Sequence, residues 1–117
     1  MDNALTRENF ITQTVEILKG QNVQEITIFG SSNDDSFSRD SDIDLLVILD
    51  TDEVPESFEE KMHMKLQLRK SIRHINRKIA IDMLVYTKKE YEIIKEEKPS
   101  FFISIWKNGT LLYEKAS

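Results

Sequence analysis

Apolar positions along the chain fall at two spacings, and each spacing predicts a kind of element. Ile11, Val15 and Leu18 lie on one helical face behind Thr6, an N-cap residue, and that run ends near Gly20. Glu25 to Phe29 is short, β-branched and aromatic, which predicts a strand running into Gly30. Residues 31 to 41 are polar and turn-like. Asp42 to Leu49 predicts a second strand whose latter half is continuously apolar, the pattern of burial on both faces. After an acidic loop, Asp50 to Glu56, Ser57 and Glu60 form a capping-box pattern. It opens a long helix to about Asn76, with Met64, Leu68, Ile72 and Ile75 facing the core. Ile79 to Tyr86 predicts a third strand, and Thr87 with Glu90 a second capping box on a short helix. Pro99 suits the first turn of a last helix, Gly109 its stop, and Leu111 to Tyr113 a closing strand. The order helix, strand, strand, helix, strand, helix, helix, strand predicts an α/β (α+β) fold in which helices cover a small mixed sheet.

Length and composition narrow this further. The 117 residues fit one domain, 1–117, and a hydrophobic fraction of 39% with 32% charged residues is a soluble, folded balance. There is no cysteine, which removes disulfide and thiolate chemistry. The polar start MDNALTRENF lacks the basic and apolar regions of a signal peptide, and the longest apolar run is too short to cross a bilayer. A cytoplasmic location with no membrane role is expected. The net charge of −5 disfavours nucleic acid as the main partner.

Three aspartates stand out. Asp42 and Asp44 sit two apart at the head of an apolar strand, so their side chains share a face with Cα atoms roughly 6–7 Å apart. Like charges so placed repel, and a divalent cation between them reverses the sign of the interaction. All-oxygen donors suit Mg²⁺ or Mn²⁺. Asp82 lies within IAIDMLV, a strand where aspartate is disfavoured, and its neighbours Ile81 and Met83 would point the other way. If that strand lies beside the first pair, the three form a two-metal site in outline, with ions ~3.5–4 Å apart. Taken singly, each has an ordinary explanation as a turn residue, a solvated strand start or an edge-guarding charge. The three together, with the turn described next, favour metal binding.

Phe29-Gly30-Ser31 follows a strand directly, and a glycine there lets backbone N–H groups approach phosphate oxygens. Gly-Ser after a strand is also common turn chemistry. Its spacing from Asp42 adds the specificity. Residues 30 to 44, GSSNDDSFSRDSDID, resemble the nucleotidyltransferase signature of Gly-Ser, ten residues and Asp-x-Asp, flanked by EITIF and LLVIL and followed by a later strand aspartate, Asp82. The chain is similar over nearly its whole length, including the closing WKNGTLLYE, to the minimal nucleotidyltransferases of the polymerase β-type superfamily.

The resemblance implies a polymerase β-like fold and in-line attack of a hydroxyl acceptor on the α-phosphate of ATP or another nucleoside triphosphate. Gly30 and Ser31 would hold its β- and γ-phosphates. Asp42, Asp44 and Asp82 would bind two Mg²⁺ ions. It also implies a small helical partner of the HEPN type, adenylylated by an antitoxin, in a homo- or hetero-oligomer. The segment departs from the pattern of many relatives in carrying Asp34 and Asp35, acids that would repel a triphosphate, which Arg39 could offset by reaching a phosphate. An alternative of another class is a catalytically weak binding module that neutralises a partner by complex formation.

Two further patterns are better explained without chemistry. Lys61, Lys65, Arg69, Arg73 and Arg77 recur every four residues as a ridge, either a contact surface for an acidic partner or, the favoured reading, a solvated helix face. Phe101, Phe102, Ile105 and Trp106 fall at helical spacing and fit a core better than a base-stacking platform. His63 and His74 lack metal-ligand spacing and are expected at the surface.

Overall fold

A computed structural model describes residues 6–30 and 42–116. Thr6 caps the first helix, α1 (Arg7–Leu18), by accepting the Asn9 N–H at 3.1 Å. The face it buries runs through Arg7, Phe10, Thr14 and Leu18, with Ile11 and Val15 packed at its margin. Strand β1 (Val23–Phe29) starts two residues earlier than the sequence pattern suggests. Asn22, in the left-handed region at φ 60°, turns the chain and ties itself to Asp50 by two hydrogen bonds, and pairing can therefore begin at Val23.

Strand β2 (Ile43–Leu49) is buried throughout its apolar run, as its composition predicts. The long helix expected after it is broken. Helix α2 (Phe58–Ser71) ends where Ile72 leaves helical geometry at φ −114° and ψ 17°, and a single turn, α3 (Arg73–Asn76), follows. The break keeps Leu68, Ile72 and Ile75 buried while turning the chain toward the sheet. There Asn76 Oδ1 accepts the Ile81 N–H at 2.8 Å and helps start β3 (Ile81–Thr87). At the head of α2, Ser57 Oγ accepts from Glu60 N–H, but the Glu60 carboxylate bonds the Glu56 N–H rather than closing a box on Ser57. The second box closes fully: Thr87 and Glu90 each bond the other's backbone at the head of α4 (Lys88–Glu97). Helix α5 (Ser100–Asn108) follows Pro99 and ends at Gly109, and β4 (Thr110–Glu114) closes the chain's ordered elements.

The four strands form a mixed sheet in the order β3-β2-β1-β4. β1 is antiparallel to both β2 and β4, and β2 is parallel to β3. The parallel pair needs a crossover, which α2 and α3 supply. Alternate residues of the central strands serve two cores. Ile43, Leu45 and Val47 pack with Phe10, Leu18, Leu68, Ile72 and Ile75 on one face. Leu46 and Ile48 pack with Tyr91, Phe102 and Ile105 on the other. β2 is thus covered on both sides, which explains a run without polar alternation.

Candidate functional site

The end of the sheet where β1 finishes and β2 and β3 begin collects the acids picked out in the sequence. Register places Phe29 opposite Asp44 on β1 and β2, and Asp44 beside Asp82 on β2 and β3. Neighbouring strands lie ~4.8 Å apart, so adjacent chains carry the two acids side by side. Asp42 precedes β2 by one residue and is exposed. Strand alternation puts Asp44 on the same side as Leu46 and Ile48, and Asp82 on the same side as Leu84 and Tyr86, the side that α4 and α5 cover further along. Ile81 and Met83 are buried on the opposite side, as expected.

Gly30 closes on this group. Its φ is 72°, a conformation that glycine adopts without strain, and a Cβ there would lie 2.8 Å from Asp44 Oδ2. The turn and the carboxylate occupy one place because Gly30 has no side chain.

Electrostatics follow from the crowding. The Asp44 carboxyl is pushed above its ordinary value, first by burial and then by the negative charges of Asp82 and Asp42, with Arg7 opposing. Such a carboxylate gains when a cation approaches. The donor set, oxygen only and at an open sheet end, has the chemistry of a hard divalent ion. Among the described residues, no three His, Cys, Asp or Glu side chains are gathered into a cluster able to hold a metal. The backbone therefore brings the three acids to one end of the sheet, while their side chains do not form a ready cage.

Arg7 is a neighbour that the sequence pattern did not single out. It is 7% exposed, on the first turn of α1, and its Nη2 donates to the Asp42 carbonyl at 3.4 Å. Burial lowers its pKa and the Asp44 charge raises it again. An arginine one residue past an N-cap carries no signal of burial, because only packing of α1 against the start of β2 puts it there. Ser31 and Arg39, expected to touch phosphate, and the acids Asp34 and Asp35 lie outside the described residues.

The basic ridge is not uniform. Lys61 pairs with Glu90 at 3.0 Å and lies over the Tyr86 ring, 3.9 Å from its centroid, whereas Arg69, Arg73 and Arg77 are exposed. His63 and His74 are exposed, as expected. The aromatic tail is divided as well. Phe102 and Ile105 are core, but Phe101 is 54% and Trp106 38% exposed. No helix among the described residues is long and apolar enough to cross a membrane.

The sequence profile of the family described as Polymerase beta, Nucleotidyltransferase matches residues 12–117. No curated protein matches the chain. Among solved structures, a "putative nucleotidyltransferase" from Sulfolobus solfataricus is 19% identical, with 95% of this chain and 78% of that chain covered at a TM-score of 0.46. A second, a toxin-antitoxin with AMP-PNP, is 18% identical, with 92% of this chain and 73% of that chain covered at a TM-score of 0.50. At these identities the likeness is one of fold.

Proposed function

The chain belongs to the polymerase β nucleotidyltransferase family, and from that premise we propose that it transfers a nucleoside monophosphate, AMP from ATP, to a hydroxyl on a partner protein. The observation that carries this reading is the register pairing Asp44 with Asp82 beside the side-chain-free Gly30. In the proposed site Asp42, Asp44 and Asp82 hold divalent cations, Mg²⁺ in the cell. Bound there, the metal supplies charge stabilisation for the attacking and leaving oxygens.

The residues themselves bind and orient. Gly30, with Ser31 and Arg39, holds the β- and γ-phosphates, and the missing side chain at Gly30 lets that turn lie close against Asp44. Asp82 orients the acceptor hydroxyl and takes its proton. The acceptor oxygen forms a bond to the α-phosphorus as the bond to the bridging oxygen breaks, and pyrophosphate leaves with the electron pair. The proposed acceptor protein is a small helical HEPN-type toxin, for which this chain acts as antitoxin in the cytoplasm. Support for a protein partner comes from the toxin-antitoxin assembly that shares the fold.

The test is incubation with labelled ATP, GTP, CTP and UTP and Mg²⁺, with and without the product of the neighbouring gene. Labelled protein that disappears in the Asp42→Asn, Asp44→Asn double variant is the expected result. A stable complex with no label under any condition would instead mark the chain as a stoichiometric binder.

A further inference from the structure

Beside Gly30, a cleft of about 360 Å³ opens between the end of β1 and helix α5. Phe29, Phe101 and Ile105 give it apolar walls, and Ser104 and Asn108 form a polar rim. That volume lies within the roughly 300–1,000 Å³ of small-molecule sites, as does the combination of apolar walls with a few polar groups. Phe29 and Phe101 meet edge to face with centroids 6.1 Å apart, so one ring braces the other. Packing of the core does not account for Phe101. Phe102 and Ile105 on the same helix are 6% and 3% exposed, while Phe101 keeps 54% of its surface in solvent at the cleft. Ser104 Oγ and Asn108 Nδ2 lie 3.5 Å apart one helical turn from each other, so a hydroxyl and a carboxamide reach the same edge.

We infer that this cleft seats the base of the nucleoside triphosphate, stacked on Phe101 with its polar edge toward Ser104 and Asn108. The inference rests on the transferase reading, which places the phosphates at Gly30. Gly30 lines the cleft and also abuts Asp44, so one residue separates the proposed phosphate position from the proposed base position. An aromatic face accepts any base, and a hydroxyl with a carboxamide can discriminate among them by hydrogen bonding. Base preference is therefore assigned to α5 rather than to the acidic end of the sheet.

The experiment compares ATP with inorganic tripolyphosphate, which has the phosphates and no base. Binding of each in the presence of Mn²⁺ is measured by calorimetry for the wild-type chain, for Phe101→Ala, which removes the stacking wall, and for Ser104→Phe, which fills the cleft. Both positions are exposed, but Phe101 meets the core ring of Phe102 with centroids 5.6 Å apart, so thermal melts first establish that each variant is folded. The expected result is a loss of about tenfold in ATP affinity in each variant, the scale of one base–aromatic contact, with tripolyphosphate unchanged. ATP affinity kept in both variants overturns the base seat and leaves the transferase reading standing. Equal losses for ATP and tripolyphosphate also overturn it, since the changes would then act on the phosphates. A wild-type chain that binds neither ligand overturns the transferase reading and the base seat with it.

Discussion

Gly30 joins two demands that a side chain would violate. Its φ of 72° costs an L-residue roughly 1–2 kcal/mol, and a Cβ would stand 2.8 Å from Asp44 Oδ2. Gly30→Ala should therefore lower stability by about that amount in thermal melts. It should also raise KM for the nucleotide, because Asp44 must move to make room. An unchanged KM would show that the phosphates do not use this turn. Asp44 presents the opposite case, a residue that costs stability where it stands. Its carboxyl titrates above the ordinary value of 3.8 in the folded chain, so folding favours the protonated form. The cost is absent below the ordinary value, grows as pH rises toward the raised one, and is fully present above it. In buffer with a chelator, Asp44→Asn should melt higher than wild type at neutral pH, and the gap should close in acid. Its transfer activity should fall by at least about 10²-fold, the scale for removing one group that stabilises transition-state charge. A variant that is both more stable and fully active would show that Asp44 is ordinary strand surface.

Elements are held at the other end of the sheet by a different aspartate. Asp50, just past β2, accepts from Lys88 at 3.1 Å at the head of α4 and from Lys115 just past β4. Those hydrogen bonds, Lys115 first, hold its carboxyl below the ordinary range. The sign is the reverse of that for Asp44. The stabilisation is present above the unfolded value and is lost as pH falls through the lowered one. Asp50→Asn should lower the melting temperature at neutral pH, with the difference shrinking in strong acid and in high salt. Equal melting temperatures at neutral pH would mean that solvent screens the whole cluster. The interruption of α2 at Ile72 is also an event between elements. A continuous helix would carry Ile75 and Asn76 past the sheet, whereas the turn buries one and uses the other to start β3.

At the scale of the molecule, an acidic chain of net charge −5 carries an exposed basic strip of Arg69, Arg73 and Arg77 on the α2–α3 side. The proposed acceptor site lies on the α4–α5 side of the sheet. A partner that meets both must wrap the sheet end, and one that meets the strip alone could be bound without being modified. Arg69→Glu combined with Arg73→Glu should weaken the partner complex by calorimetry while leaving divalent-cation binding unchanged. An unaltered complex would return the strip to solvated surface.

Much of this was legible in the chain itself. Local signals fix local structure: N-caps at Thr6, Ser57 and Thr87, the apolar run of β2, and Gly109 as a stop each follow from neighbours a few residues away. The spacing from Gly30 to Asp42 and Asp44, with Asp82 in a later strand, pointed to the family for the same reason. Periodicity also identified Phe101 and Phe102, but not that one would be core and the other exposed. That division depends on where α5 crosses β1, a contact between segments far apart in sequence. The same holds for Arg7, whose burial is decided by what α1 packs against, and for the break at Ile72, where the need to reach β3 overrides helix pattern. Parallel pairing of β2 with β3, which sets Asp44 beside Asp82, is likewise a tertiary choice. The sequence determined which residues are candidates for chemistry and which family the chain resembles. Only the packed sheet decided which of them stand together, because distance in space is set by long-range pairing that no short window contains.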